Sequence, residues 1–168
     1  MIIRPEEPGD IDAIHHVHAQ AFGQPQEAQL VAALRAAGKA LISLVALEEE
    51  RVVGHILFSP VSVTTKPDGW RAAGLAPLAV LPAWQRRGIG AELMRAGLQA
   101  CHDAGLALVV VLGGHYYARF GFARASDAGL ENEYGADEHF MALPLQEGAL
   151  QRVSGLVCYA VEFQEIGC

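Results

Sequence analysis

The chain has 168 residues, 52% hydrophobic and 18% charged, which is enough for one domain with a full core and too few for two comfortable ones. This composition excludes a disordered chain, and no apolar run reaches the roughly 18 residues that a membrane-spanning helix needs. The formal charge of −7 disfavours nucleic acid as a partner and is compatible with a cationic substrate such as an amine. The first residues lack the basic and apolar stretches of a signal peptide, so we expect a cytoplasmic protein.

Three cysteines and seven histidines offer no pattern that indicates a metal site. Cys101 and Cys158 lie within apolar helical and strand patterns, which predicts small core residues rather than nucleophiles. His15, His16 and His18 are close in sequence, but these positions do not converge on one helix face. We therefore predict no bound metal, and surface or packing roles for these three histidines.

The first eighty residues predict a short strand, two helices and three further strands. Asp10 is the expected N-cap of the first helix, and Gly38 is the expected C-terminal stop of the second. Pro60 predicts an edge or an irregularity in its strand, because proline cannot donate a ladder hydrogen bond. The predicted elements are the strand Ile2–Arg4, the helices Ile11–Phe22 and Glu27–Ala37, and the strands Leu41–Leu47, Val52–Val63 and Arg71–Val80.

The second half predicts a helix that Gly105 closes, followed by the unbroken apolar run Leu106–Leu112, which is typical of a strand buried on both faces. Residues 123–138 are polar and predict a loop, and His139–Leu145 and Val153–Phe163 predict the closing strands. The order strand, helix, strand around the helix that Gly105 closes predicts one parallel crossover. We therefore predict an α/β (α+β) fold, a single domain over residues 1–168 with a mixed, mostly antiparallel central sheet flanked by helices.

The segment from Gln85 to Gly90, Gln-Arg-Arg-Gly-Ile-Gly, stands between a predicted strand and a predicted helix. Glycines at 88 and 90 let an anionic group approach the backbone, and a helix N-terminus presents unpaired N–H groups that suit a phosphate. Arg86 and Arg87 add positive charge. The alternative is a tight turn with two surface arginines, which needs no ligand. The spacing matches neither a nucleotide P-loop nor a dinucleotide-binding fingerprint.

This segment resembles the Gln/Arg-x-x-Gly-x-Gly/Ala signature with which GNAT (GCN5-related) acetyltransferases hold the pyrophosphate of coenzyme A. Tyr117 to Phe122 is similar to a later Tyr-x-x-x-Gly-Phe element of that superfamily, and the two motifs follow in the same order. Leu78 to Pro82 resembles the segment that precedes the signature. The segments Gly74–Val80, Tyr116–Phe122, Gly148–Leu150 and Gly155–Tyr159 together resemble the YhbS-like branch of predicted N-acetyltransferases.

The resemblance implies an enzyme that transfers an acetyl group from acetyl-CoA to a small-molecule or peptide amine in a ternary complex, without a metal. It implies that backbone groups of Leu78 and Val80, on either side of Ala79, bind the pantetheine arm, and that the amide of Val80 polarises the thioester carbonyl. Tyr117 would protonate the departing thiolate. No nucleic acid or membrane is implied, and a homodimer is compatible. The implied pyrophosphate ligands are the amides of Arg86, Arg87, Gly88, Ile89, Gly90 and Ala91.

Two points stay open at the level of the sequence. Tyr117 and its aromatic neighbours also fit simple core packing, and only the motif position selects Tyr117 over Tyr116. The general base has no clear candidate, because Ala72–Val80 contains no carboxylate, and this absence leaves a non-catalytic acyl-CoA-binding or sensor domain as the alternative function. The remaining candidates for the base are a water chain and the side chains of Glu27, Glu131, Glu133, Asp137 and His139.

Overall fold

The computed structural model contains nine strands and four α-helices and describes all residues from 1 to 168. The helices are α1 (Ile11–Phe22), α2 (Gln26–Ala36), α3 (Ile89–Asp103) and α4 (Val161–Ile166). The strands are β1 (Ile2–Pro5), β2 (Ile42–Glu48), β3 (Arg51–Thr65), β4 (Ala72–Val80), β5 (Leu108–Leu112), β6 (Ala123–Arg124), β7 (Leu130–Asn132), β8 (Phe140–Pro144) and β9 (Ser154–Cys158).

The strand order is β1-β2-β3-β4-β5-β8-β6, and β9 is hydrogen-bonded to β3 and β7. The strand pairs whose register is described below are antiparallel except for two. β4 and β5 are parallel from Ala72 opposite Leu108 to Gly74 opposite Val110, which is the predicted crossover through α3. β7 and β9 form a second, short parallel pair that was not predicted. The predicted fold class is confirmed: a mostly antiparallel sheet with a parallel crossover and surrounding helices.

Contacts divide the chain into two compact units whose segments interleave along the sequence. The prediction of a single domain over residues 1–168 therefore stays a prediction. The first unit comprises Met1–Ser59, Ala76–Gly97 and Val161–Cys168, and the second comprises Pro60–Leu75 and Leu98–Ala160.

In the first unit, the helical hairpin of α1 and α2 ends each helix at a glycine in the left-handed conformation. Gly23 has φ +66° and donates its N–H to the Ala19 carbonyl at 3.0 Å, and Gly38 follows α2 with φ +71°. Asp10 occupies the predicted N-cap position, but its side chain does not cap the helix and bonds to Arg4 instead, at 2.7 Å. The apolar face of α2 is fully buried through Leu30 and Leu34.

Helix α3 packs on β3 through two glycines that remove side chains where the elements meet. A Cβ on Gly97 would lie 2.5 Å from the Phe58 ring, and a Cβ on Gly54 would lie 3.0 Å from the Leu93 side chain. A methyl group at either position would overpack a core in which Phe58 and Leu93 are completely buried. This close packing holds the start of α3 next to the end of β4.

In the second unit, two predictions from the sequence need correction. Residues 123–138 are not a plain loop, because β6, β7 and several 3-10 turns lie within or overlap them. The predicted strand Val153–Phe163 is wrong in its second half, where α4 begins at Val161 in the first unit. Two observations favour this helix over a longer strand. The side chain of Phe163 is buried, with 4% of its surface exposed, and Glu162 accepts a hydrogen bond from Lys39 at 2.8 Å.

The structure also shows the surroundings of several further residues that the sequence singled out. Cys101 is fully buried and burial raises the pKa of its thiol to about 12, so it is a core residue, as predicted. His15 and His16 are exposed and His18 is buried. No helix is long and apolar enough to cross a bilayer. Pro60 lies where β3 exchanges its partner, between Phe58, the last residue paired with β2, and Ser62, the first paired with β9.

Candidate active site

The predicted anion-binding loop connects β4 to α3 in the first unit. Leu81 donates its N–H to the Val53 carbonyl at 2.8 Å, and a 3-10 turn over Pro82–Trp84 leads into the loop. Gly88 ends the loop with φ +81°, and its carbonyl accepts the N–H of Glu92 at 3.1 Å, the first hydrogen bond of α3. The unpaired amides of the first turn of a 15-residue helix therefore point out of this loop.

The residues of the loop fit an anionic ligand that approaches the backbone. No atom lies within 4 Å of the position that a Cβ on Gly88 would occupy, so the space above this glycine is open. Gly90 differs, because a Cβ there would meet only Val80 at 3.9 Å, an ordinary contact. The conformational need for glycine is thus confined to position 88, whereas the sequence suggested both positions.

Positive charge accompanies the open glycine. Arg86 has φ +65°, an uncommon conformation for a residue with a side chain, which turns the loop before the helix. Arg87 stacks on the ring of Trp84 with its guanidinium carbon 4.8 Å from the ring centre. Both arginines are exposed, so the loop carries two positive charges at the protein surface.

The predicted pantetheine-binding segment forms the end of β4. Ala79 is buried, and Leu78 and Val80 are half-buried. The side-chain N–H of Gln85 donates a hydrogen bond to the Val80 carbonyl at 3.0 Å, so the first residue of the signature stabilises the end of the strand. This contact gives Gln85 a structural role within the loop, separate from any direct contact with a ligand.

Tyr117 lies in a 3-10 turn over Gly114–Phe120 in the second unit. Its ring covers the backbone of Gly113 so closely that any Cβ at this position would overlap ring atom Cε2. Burial raises the pKa of Tyr117, and the neighbouring Tyr116 adds to the effect, so the phenol keeps its proton at neutral pH. It also packs on Phe122, with ring centres 5.9 Å apart.

Tyr116 lies in different surroundings from Tyr117. The two rings are perpendicular, with centres 5.1 Å apart. Tyr116 is 41% exposed, and the Arg119 guanidinium lies 4.1 Å from its ring centre. It is therefore a surface ring, whereas Tyr117 is partly enclosed.

The side chains that remained candidates for the general base have different surroundings in the structure. Glu27 accepts hydrogen bonds from Gln24 at 3.0 Å, and Glu131 is exposed on β7. Asp137 accepts a bond from Asn132 at 3.3 Å, and His139 lies beside Gly114, with Nδ1 3.0 Å from where a Cβ on that glycine would be. Glu133 is half-buried.

Glu133 belongs to a cluster that sequence reasoning missed. Its Oε1 accepts the backbone N–H of Tyr159 at 2.9 Å. Tyr159 is 7% exposed, and its ring centre is 6.1 Å from that of Tyr134. Burial raises the pKa of Tyr159, and the nearby Tyr134, Tyr117 and Glu133 raise it further. Nothing in the sequence indicated this contact, because Glu133 and Tyr159 are 26 positions apart.

A second unpredicted feature is a buried hydrogen-bond chain in the first unit. Arg35 donates two bonds to Glu6, at 2.6 and 2.9 Å, and Ser43 donates to the same carboxylate at 2.6 Å. Because the Ser43 proton is used there, His55 Nε2 must donate to Ser43 Oγ at 2.7 Å. His55 Nδ1 then accepts from His18 Nε2, also at 2.7 Å. All donors therefore point towards Glu6.

The surroundings of this hydrogen-bond chain keep the imidazoles of His18 and His55 neutral and the carboxylate of Glu6 ionised. Burial, aided by the charges of His55, His15 and Arg35, lowers the pKa of His18 to about 3. Burial also lowers the pKa of His55, although Glu6 opposes the effect. Desolvation alone would raise the pKa of Glu6, but the nearby His55 and the Arg35 and Ser43 donors outweigh it and hold the pKa well below its ordinary value. The chain joins α1, α2, β2 and β3.

Residues 2–125 match the Acetyltransferase (GNAT) domain family. The uncharacterized N-acetyltransferase YhbS of Escherichia coli strain K12 is 37% identical over 166 residues, which cover 97% of this chain and 98% of that protein. The uncharacterized N-acetyltransferase YjhQ of the same strain is 38% identical over 137 residues, which cover 79% of this chain and 76% of that protein.

Two solved structures resemble the whole chain. The crystal structure of E. coli YhbS in complex with CoA has a TM-score of 0.90 at 36% identity, over 97% of this chain and 91% of that one. A GNAT family acetyltransferase from Brucella melitensis, in complex with acetyl-CoA, has a TM-score of 0.79 at 38% identity, over 96% of this chain and 97% of that one.

Proposed function

Because the chain belongs to the GNAT acetyltransferase family, we propose that it transfers an acetyl group from acetyl-CoA to the nitrogen of a small-molecule or peptide amine. The observation that carries this proposal is the open, positive-φ glycine at position 88, which ends an arginine-bearing loop at the start of a long helix. The relatives of known structure bind CoA and acetyl-CoA, which supports the same cosubstrate here.

In this proposal the backbone from Arg86 to Ala91 holds the pyrophosphate, and the arginine side chains contact outer phosphate oxygens. The pantetheine arm extends along the end of β4, bonded by backbone groups around Ala79. The amide of Val80 stabilises the oxyanion that forms when the amine attacks the thioester. These roles rest on backbone amides and arginine side chains and need no metal, and no cluster of side chains that could bind one is present.

Tyr117 is the proposed acid. A thiolate leaving group has a pKa near ~8.5 as a free thiol and therefore gains from a proton donor at neutral pH. The raised pKa of Tyr117 keeps the donor protonated there. The direct route forms the C–N bond as the C–S bond breaks, without an acyl-enzyme, and no reactive cysteine is needed.

One observation favours a second candidate, a non-catalytic acyl-CoA-binding or sensor domain. β4 contains no acidic residue, so it supplies no base next to the proposed pantetheine segment. The two candidates differ in turnover and not in binding. An assay of thiol release from acetyl-CoA, over a panel of small amines and peptides with free amino groups, distinguishes them.

Cofactor binding is measured first, by calorimetry with acetyl-CoA. We expect a micromolar dissociation constant, roughly −8 kcal/mol, and a rise in melting temperature when acetyl-CoA is added. Failure of saturating acetyl-CoA to produce either heat or a thermal shift would contradict both candidate functions. Binding without thiol release from any amine would support the sensor.

A further inference from the structure

The loop between β4 and α3 begins with a tryptophan whose backbone is fixed to the sheet. Leu81 is buried and donates its N–H to the Val53 carbonyl at 2.8 Å, and its own carbonyl accepts the N–H of Trp84 at 2.8 Å. The 3-10 turn over Pro82–Trp84 therefore follows directly from a backbone contact with β3. Trp84 is half-buried, so part of its ring is accessible while the turn holds its backbone in place.

The guanidinium of Arg87 lies over this ring, with its central carbon 4.8 Å from the ring centre. Arg87 forms no ion pair and no side-chain hydrogen bond within the chain. Arg4 and Arg35 differ, because each binds a carboxylate, at 2.7 and 2.6 Å. A guanidinium stacked on an aromatic ring keeps its charge and the N–H donors at the edge of its plane. Trp84 therefore orients Arg87 without neutralising it.

Arg86 is the adjacent cation, and no contact orients it in this way. Its backbone has φ +65°, and its exposed side chain forms no ring contact, ion pair or hydrogen bond. An arginine without contacts loses rotamer freedom when a ligand orders it, whereas a stacked arginine has already lost part of that freedom on folding. The two neighbouring arginines therefore differ in how far the folded loop orders them before a ligand binds.

The Trp84 ring leaves the anion-binding side of the loop open. None of its atoms lies within 4 Å of the position that a Cβ on Gly88 would occupy. Arg87 directly precedes this glycine, whose carbonyl accepts the first hydrogen bond of α3 from Glu92. All of these residues belong to the first unit. A phosphate bound at the start of α3 therefore has an oriented guanidinium on the residue next to Gly88.

We propose that Trp84 is a positioning residue for the cosubstrate, because its ring holds Arg87 in the orientation that binds a phosphate of acetyl-CoA. The assignment rests on the acetyl-CoA binding of the proposed function and adds a residue that lies outside the Gln85–Gly90 signature. The group that Arg87 recognises is a phosphate ester oxygen, from either the pyrophosphate or the 3′-phosphate. Trp84 itself does not contact the ligand, so its effect on affinity passes through Arg87.

Calorimetry with acetyl-CoA tests this coupling in the full chain through a double-mutant cycle. Trp84→Leu keeps an apolar side chain without the ring and should weaken affinity about 2- to 5-fold, the range of an exposed cation–π contact. In the background of Arg87→Ala the same change should have an effect of less than about 1.5-fold. In the background of Arg86→Ala, the matched control, the full loss should persist. Trp84→Phe keeps an aromatic face and should bind acetyl-CoA more tightly than Trp84→Leu.

Two further measurements distinguish positioning from a change in the fold. The loss in Trp84→Leu should shrink between about 0.05 and 0.5 M salt, because the weakened interaction is between charges. Trp70→Leu replaces the other tryptophan of the chain, which is half-buried in the second unit, and should leave affinity within about twofold of the wild type.

The 3′-dephospho form of acetyl-CoA identifies the phosphate that Arg87 binds. If Arg87 binds the 3′-phosphate, the effect of Trp84→Leu disappears with this ligand. If Arg87 binds the pyrophosphate, the effect persists. In both cases the coupling between Trp84 and Arg87 supports the assignment.

Several outcomes would overturn the assignment. Wild-type affinity in Trp84→Leu would do so, and so would an equal loss in the wild-type and Arg87→Ala backgrounds, because Trp84 would then act independently of Arg87. A loss that does not depend on salt, or an equal loss in Trp70→Leu, shows a general effect on the fold. If the wild type does not bind acetyl-CoA, the proposed function fails together with this assignment. Binding by the wild type without coupling between positions 84 and 87 refutes the assignment alone.

Discussion

Replacement of Ser43 by alanine tests the direction of the buried chain that ends at Glu6. Ser43 is the only link that both accepts from His55 and donates to Glu6, at 2.7 and 2.6 Å. The His55 ring is completely buried, so water cannot replace the lost acceptor without a rearrangement. The variant therefore leaves a buried imidazole N–H without a partner.

The size of the effect follows from the neighbouring distances. The nearest remaining acceptor of His55 Nε2 is Glu6 Oε1 at 3.6 Å, which is too long for a hydrogen bond. A buried unsatisfied donor costs about 1–3 kcal/mol. Glu6 retains both bonds from Arg35, so no unpaired charge is created and the larger cost of a broken ion pair does not arise. We expect a loss of about 1–3 kcal/mol in the free energy of unfolding.

Urea unfolding at about pH 7.5, followed by circular dichroism, measures this loss as a lower midpoint with an unchanged slope. Ser62→Ala is the control, because Ser62 is an exposed serine of β3, and it should change stability by less than about 0.5 kcal/mol. In the background of His55→Phe, which has no donor to satisfy, Ser43→Ala should cost clearly less. An equal cost in both backgrounds, or no cost in the wild type, refutes the hydrogen-bond chain.

Three further predictions concern the loop, the acid and the effect of pH. Gly88→Val should abolish acetyl-CoA binding, because the valine side chain fills the open space above the loop. Arg87→Ala should weaken binding by only about 1–2 kcal/mol. Calorimetry with acetyl-CoA measures the affinity of both variants. Tyr117→Phe should lower turnover on the order of 10²-fold with melting temperature and acetyl-CoA affinity unchanged. The free energy of unfolding should decrease in acid. The pKa of His18 is about 3 in the folded protein and 6.5 as its ordinary value, so between these two pH values the unfolded chain binds more protons than the folded protein. From about pH 7 to 5 His18 alone should remove about 2 kcal/mol, measured by urea unfolding.

The controls for these predictions use positions with the same local geometry. Gly38→Val introduces the same strain at φ +71° with open space around it, but outside the loop, and should leave acetyl-CoA affinity intact. Tyr116→Phe should be nearly silent. Equal losses from Gly88→Val and Arg87→Ala would contradict a site dominated by the backbone. Wild-type turnover by Tyr117→Phe would show that Tyr117 has a packing role only. A free energy of unfolding that does not change with acid would contradict a buried, neutral His18.

Local patterns in the sequence predicted most of the fold correctly. Helices α1, α2 and α3 follow from apolar spacing and from Gly38 and Gly105, the glycines that follow α2 and α3, and the strand-helix-strand order predicted the parallel pair of β4 and β5. The prediction failed for Val153–Phe163, where an apolar run reads as one strand. The local composition there is ambiguous between strand and helix, and the burial of Phe163 and the bond from Lys39 to Glu162 favour α4.

The sequence by itself determined the position of the predicted anion-binding loop, because its glycines and arginines lie within a few residues of Gly88 and its geometry depends on the local backbone. The partners of isolated acidic and aromatic residues depended on tertiary structure. Glu133 meets Tyr159 across 26 positions, and His18 meets His55 across 37. Neither pairing has a periodicity or a spacing that a sequence could reveal, since each arises where separate strands and helices are brought together by packing. Only the folded chain distinguishes a carboxylate at the end of β7 from the exposed carboxylates around it.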